Sequence, residues 1–181
     1  SFHFINSMPM NTRILTAAIL GFFLLASSLP SFAADLSSVV VAAAKWESGQ
    51  SLEPLSQIEQ HVRESAGDPA RCAELEAALL PMLALNATPE ARRFACQQLA
   101  VIGSNASVPA LAKLLENNET VGIACLAFGN RPSARADGAL RAALVTALGQ
   151  GRLQIISTLG NRRDPQAVEP LTKLVRDADP V

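Results

Sequence analysis

Apolar residues recur along most of this chain at the three- and four-residue spacing of one helix face, with almost none of the two-residue alternation of a strand. Leu55, Ile58 and Val62 form one stripe, and Cys72, Leu75, Leu79 and Met82/Leu83 form the next. Phe94, Leu99 and Ile102 follow, then Val108, Leu111 and Leu114/Leu115. Leu140, Leu144 and Leu148 come next, and Val168, Leu171 and Leu174/Val175 last. The breaks between stripes carry helix-end chemistry. Asp68-Pro69, Thr88-Pro89 and Asp179-Pro180 read as an N-cap followed by proline at the first helical position. The cap side chain accepts a backbone N–H, and proline lacks a donor that would have no partner there. Gly103 and Gly160 follow apolar runs, where a left-handed C-cap residue is expected. The pattern predicts about nine short helices joined by short turns.

The helices repeat. VPALAKLL (108–115) lies over VEPLTKLV (168–175), with Val108 on Val168, Leu111 on Leu171, Lys113 on Lys173 and Leu114 on Leu174, at an offset of 60 residues. Between them, DGALRAAL (137–144) puts Leu140 and Leu144 in the places of Leu111 and Leu115. Upstream, EAALLPML (76–83) does the same with Leu79 and Leu83, so the successive steps are 32, 29 and 31 residues. The preceding helices keep this register: Leu99, Phe128 and Leu159 correspond, as do Ala95, Ala124 and Ile155, and Cys96, Cys125 and Ile156. Two helices in each period of about 30 residues predict an all-α fold, a right-handed α-solenoid of antiparallel helix pairs.

ARRFACQQLAVIGSNASVPALAKLLEN (91–117) and ISTLGNRRDPQAVEPLTKLVRDADP (156–180) share a pattern: helix, Gly-containing turn, short polar stretch, then V-x-x-L-x-x-L-L or its close variant. In this the chain resembles the bacterial HEAT-like repeats of the kind named for phycobilisome lyases, a HEAT/armadillo-like class. The resemblance covers roughly residues 68–181 and speaks for fold more than function, because such repeats are built into many proteins. Residues 118–135 depart from it: there is no Asp-Pro start, and Arg131-Pro132 stands where the small turn belongs, so a bent or irregular repeat is expected there. Asp179-Pro180 reads as the start of another repeat, which makes 68–181 a repeat array expected to continue in a longer protein. Residues 34–67 are then the N-terminal capping helices, with Trp46 closing the first layer.

The chain opens with Ser1, and residues 1–7 precede two candidate starts, Met8 and Met10. Taken from Met10, residues 1–9 are upstream read-through and the rest of 1–33 is a signal peptide. Arg13 supplies the positive end, Ile14 to Leu25 the apolar core, Ser27 to Pro30 the break, and Ser31 and Ala33 the small residues before a cut after Ala33. The competing reading, an uncleaved anchor, meets an apolar run shorter than the ~18–20 residues a spanning helix needs. The mature chain is expected to be exported, periplasmic or extracellular, with no membrane association after cleavage.

Cleavage removes five of the seven phenylalanines and leaves Trp46, Phe94 and Phe128 as the only aromatic residues of the mature chain, since there is no tyrosine. Stacking platforms for bases or sugars need exposed rings. The formal charge is −1, with no basic run, so the sequence offers no electrostatic support for nucleic-acid binding. Three cysteines in an oxidising compartment leave at least one free or paired between molecules. They fit no zinc spacing, and no metal or other cofactor is expected.

The reactive side chains have bland readings beside their functional ones. Cys96 and Cys125 occupy equivalent positions, where stacked helices ~8–10 Å apart keep them beyond disulfide reach. Cys72 and Cys96 are geometrically freer to pair. His61, set among Glu59, Gln60, Arg63 and Glu64, reads as solvated rather than as a base for a cysteine nucleophile. Glu47, Glu53, Glu74 and Glu76 read as carboxylates facing water. Arginine can grip carboxylates with two parallel hydrogen bonds, so Arg92, Arg93, Arg131, Arg135, Arg152, Arg162 and Arg163 form a candidate partner-binding rim for an acidic protein. The bland alternative is that Arg163 and Asp164 tie the turn between helices within and between repeats.

The sequence therefore points to an exported protein-interaction scaffold that holds a protein partner, or a further domain of the same polypeptide, by area and shape rather than by a reactive group. No catalytic residue is expected in this segment. The resemblance implies two alternatives: a lyase or isomerase of the phycobilisome-lyase type, or an accessory module of a larger exported hydrolase or cytochrome. Against the first stand the export signal and the scarcity of His, Tyr and Trp for surrounding a chromophore. A purely structural, self-associating surface protein is a third class.

Overall fold

The computed structural model describes residues 32–84, 86–129 and 133–177, with side chains from Asp35 to Arg176. The expected signal core (14–25), Arg131-Pro132 and Asp179-Pro180 lie outside the described residues. The chain divides into two compact units, 1–35 and 36–181. Of the first, only Phe32 to Asp35 is described, in the opening turn of a helix that the expected cleavage after Ala33 would enter.

The described chain is all-helical, with no strand among the described residues. Its α-helices are α1 (Phe32–Ala43), α2 (Glu53–Glu64), α3 (Pro69–Leu79), α4 (Pro89–Ile102), α5 (Val108–Leu114), α6 (Val121–Phe128), α7 (Ala134–Thr146), α8 (Gly149–Arg162) and α9 (Val168–Asp177). Short 3-10 turns, Leu80–Leu83 and Pro165–Ala167, precede the α4 and α9 segments. The helices of the second unit pack in two rows. In one row α2 contacts α4, α4 contacts α6, and α6 contacts α8; in the other the Leu80–Leu83 turn contacts α5, and α5 contacts α7. Cross-links from one row to the other run α3 to α4, α5 to α6 and α7 to α8. This is the packing that the repeat register predicts: Leu99, Phe128 and Leu159 are all buried, as are Ala95, Ala124 and Ile155, and Leu79, Leu111 and Leu140.

The helix starts follow their cap residues. Asp68 accepts hydrogen bonds from the backbone N–H groups of Ala70 and Arg71, and Thr88 from Ala91, each ahead of proline at the first helical position. Thr88 also fastens the N-terminal segment: its N–H donates to the Ala44 carbonyl at 3.1 Å and its hydroxyl donates to the carbonyl of Trp46. Trp46 is half-buried, and its indole N–H donates to the Ser51 carbonyl.

Several ends differ from the sequence reading. The stretch 76–83 is not one helix: Pro81 cannot donate to the preceding turn, and α3 gives way to a 3-10 turn at Leu80. Neither glycine expected to be left-handed is so. Gly103 ends α4 in an extended conformation (φ −56, ψ 149), and Gly160 lies inside α8, which Arg163 closes in the left-handed region (φ 54, ψ 41). Gly103 is there for space: a Cβ on it would stand 2.5 Å from the Leu99 carbonyl oxygen. Leu148 does not extend the α7 stripe. It is exposed and forms the N-cap of α8.

The departure at 118–135 is visible in α6, which has 8 residues where α4 and α8 have 14. The Thr120 hydroxyl turns back to the Leu114 carbonyl, at 2.7 Å, and α6 begins only after it. Flanked by α4, α5 and α8, α6 is apolar nearly all round and mostly buried, with Leu126 exposed on its outer side.

Candidate functional site

The polar chemistry of the second unit gathers at the turns linking the two rows. Ser104, Ser133 and Asp164 hold equivalent places, at steps of 29 and 31 residues, and each caps the segment after it. Ser104 Oγ accepts from the N–H of Ala106, Ser133 Oγ from Ala136, and Asp164 Oδ1 from Gln166. Each of these turns is also gripped by a side chain from the preceding helix pair. Glu76 Oε1 accepts the backbone N–H groups of Ser104 (2.7 Å) and Ser107 (2.9 Å). The Ser133 hydroxyl donates to Asn105 Oδ1 at 2.6 Å. Arg141 on α7 pairs with Asp164.

Glu76 is therefore buried, not a water-facing carboxylate as its neighbour Glu74 is. Ser107 precedes α5 and makes no cap bond of its own, so Glu76 does that work from the pair before. Burial alone would raise the Glu76 pKa. The backbone and hydroxyl groups of Ser104 and Ser107 outweigh it, and the net position is below the ordinary carboxylate value.

The seven arginines of the expected rim do not stand alike. Arg162, with its side chain 2% exposed, is an internal clamp. Its Nε donates to Asp137 Oδ1 at 2.6 Å, Nη1 to the carbonyls of Phe128 and Gly129, and Nη2 to that of Ser133. Arg92 is buried, its Nη2 donating to the carbonyls of Ala84 and Ala87. Arg152 Nε donates to the Ala147 carbonyl at 2.6 Å, holding the turn before α8. Arg93, Arg135 and Arg163 are exposed, and Arg131 lies outside the described residues. The partner of Asp164 is Arg141 rather than Arg163, because the left-handed backbone at Arg163 turns that side chain out to solvent.

All three cysteines are free thiols. Burial pushes Cys96 up to about 12, against the opposing charges of Arg92 and Arg93; it also raises Cys125, against a hydrogen bond from Thr158. Neither supplies a thiolate at neutral pH. Cys72 is half-buried and directs its Sγ to the carbonyl and hydroxyl oxygens of Ser65. His61 is half-buried on α2 rather than fully solvated. Among the described residues no group of three or more His, Cys, Asp or Glu is placed to hold a metal ion, and no helix is long and apolar enough to cross a membrane. A cavity of about 320 Å³ lies between consecutive turns, against Leu99, Ser104, Val108, Phe128 and Ser133; its described lining offers hydroxyls and an amide but no ionisable side chain.

Helix pairs stacked in two rows, with turns locked from one pair to the next, define a helical repeat protein. Residues 152–177, which cover most of α8 and all of α9, match the PBS lyase HEAT-like repeat family, and this match supports a HEAT-like repeat protein. No curated protein and no solved structure matches it.

The sequence reading missed the grip of each pair on the next turn. The signal was present: the offsets that align Leu99, Phe128 and Leu159 also align Ser104, Ser133 and Asp164, and those that align Leu79, Leu111 and Leu140 place Glu76 where Asp137 stands.

Proposed function

We propose that this chain is an exported protein-interaction scaffold, holding a protein partner through the surface of its stacked helix pairs. The observation that supports this most is where the charged groups go. Glu76, Arg92, Asp137, Arg141, Arg162 and Asp164 are taken up inside the fold, holding its turns in place. Charge that holds a scaffold rigid is not poised for proton transfer or nucleophilic attack. The exposed guanidinium groups of Arg93, Arg135 and Arg163 are the described members of a rim suited to carboxylates on a partner. Export rests on the positive, apolar and small-residue sequence of 10–33. The family description supplies a lyase as the alternative reading, and no feature of the described site favours it.

Two measurements test the two halves. Expressed from Met10 in a Gram-negative host, the chain should appear in the periplasm with Ala34 at its N-terminus by mass spectrometry, and Leu24→Arg/Leu25→Arg should keep it in the cytoplasm. An unprocessed cytoplasmic product would end the export reading. Cross-linking in envelope extract should capture a discrete partner, and Arg93→Glu/Arg135→Glu/Arg163→Glu should lose it while melting at the same temperature. Capture unaffected by that charge reversal would remove the rim from the proposal.

A further inference from the structure

Three Asn-x-Ser/Thr triplets stand in turns of this chain: Asn86-Ala87-Thr88, Asn105-Ala106-Ser107 and Asn118-Glu119-Thr120, with each asparagine exposed. In an exported chain this triplet is the acceptor for N-linked glycan. The last residue of each triplet has structural work of its own. Thr88 donates its hydroxyl to the Trp46 carbonyl, Ser107 to that of Ser104 and Thr120 to that of Leu114. Asn105 is accounted for as well, since its Oδ1 accepts the Ser133 hydroxyl. Asn118 is not. Asn117 already closes that turn, its Oδ1 accepting the N–H of Glu119 at 2.8 Å, and among the described residues none hydrogen-bonds to the Asn118 side chain. Even so, α8 makes room for it: a Cβ on Gly151 would stand 2.8 Å from Asn118 Oδ1. The oxygen of the amide therefore lies against α8, and Nδ2, the atom that takes a sugar, is on its other side. Asn118 also has the exposed carboxylate of Glu116 two residues ahead, where Asn86 has Ala84 and Asn105 has Gly103. An acidic residue at that place is part of the acceptor that bacterial oligosaccharyltransferases read.

We propose that Asn118 is an N-glycosylation site, modified before the chain around it folds. The proposal rests on the export reading, because donor and transferase stand on the far side of the membrane. The donor is an oligosaccharide linked to a lipid diphosphate. The bond from its anomeric carbon to the diphosphate oxygen breaks, and a bond from that carbon to Asn118 Nδ2 forms. The diphosphate leaves with the electron pair, and one amide proton passes to a base of the transferase. The order of events follows from Thr120, which is 5% exposed in the fold with its hydroxyl given to Leu114 at 2.7 Å. A transferase that must engage that hydroxyl meets it only in the unfolded segment. In the finished fold the glycan projects from the turn between α5 and α6. That turn is at the other end of α5 from the turn that Glu76 grips, so the locked turns stay clear of it.

The test uses the chain expressed from Met10 in a Gram-negative host that carries a bacterial oligosaccharyltransferase and its lipid-linked oligosaccharide, checked on a control acceptor. Periplasmic protein beginning at Ala34 should carry the oligosaccharide on the tryptic peptide that holds Asn118, read by mass spectrometry. Asn118→Gln should abolish it, Thr120→Ser should keep it, and Glu116→Gln should lower its occupancy several-fold. Asn86→Gln and Asn105→Gln should leave it unchanged. Folded protein from a host without the transferase, mixed afterwards with enzyme and donor, should stay unmodified, while a synthetic peptide of residues 112–124 is modified. Chain that begins at Ala34 with an unmodified Asn118 overturns the site and leaves export standing. Unprocessed cytoplasmic chain defeats the export reading and this proposal with it. Modification of the folded protein at the rate of the peptide overturns the order of transfer before folding.

Discussion

Glu76 shows how much one residue carries when a helix pair cannot finish its own turn. Its carboxylate accepts two backbone N–H groups from the following pair, where they have no helical partner. Glu76→Ala leaves both donors without that acceptor and should cost about 3 kcal/mol in urea unfolding; Glu76→Gln keeps the oxygen but not the charge and should cost about 1 kcal/mol. The folded pKa of Glu76 lies below the ordinary carboxylate value of 4.5. The unfolded chain therefore takes up the proton first as pH falls, so the Glu76 contribution is complete above 4.5 and is lost as pH drops through the folded value. Glu76→Gln should flatten the acid limb of stability against pH. An acid limb identical in slope to that of the parent protein would show that the carboxylate is not held as described.

At the scale of the element, the two glycines separate a reading that sequence supports from one that only coordinates supply. Both follow apolar runs, and both suggest a left-handed helix end. At Gly103 the constraint is instead a close approach, to the carbonyl oxygen of Leu99 and the hydroxyl of Ser107, while Gly160 sits in α8 with nothing near a Cβ. The two substitutions should then differ in sign. Gly103→Ala must displace backbone and should destabilise by about 2 kcal/mol. Gly160→Ala removes unfolded-state freedom from a helix interior and should stabilise by roughly 0.5–1 kcal/mol. Equal losses in thermal melts would mean that α8 ends at Gly160 after all. Helix existence, the buried registers and the Asp68 and Thr88 caps were legible because each depends on a few neighbouring residues. The true end of α8 was not, since Arg163 takes the left-handed conformation where the chain turns towards Asp164, itself held by Arg141 on α7.

Across the whole second unit, the contacts that decide function are the ones least visible in a single sequence. Arg162 and Arg163 are adjacent and chemically identical, yet one is enclosed by Asp137 and three carbonyls while the other faces solvent. Composition treats them as one basic feature; only the position of the preceding pair divides them. That division also sets how the stack comes apart. In a repeat array each pair touches chiefly its neighbours, so stability is close to a sum of local terms. Arg162→Ala removes the clamp between α8 and the pair before it, leaves Asp137 and the carbonyls without their donor, and should cost about 3 kcal/mol. The loss should be local. In native-state hydrogen exchange, amides of α8 should open together at a free energy lowered by that amount, while amides of α3 and α4 keep their protection. Equal loss of protection in α3, α4 and α8 would instead show that the pairs unfold as one body. A partner bound at one end of the stack would then be felt at the other.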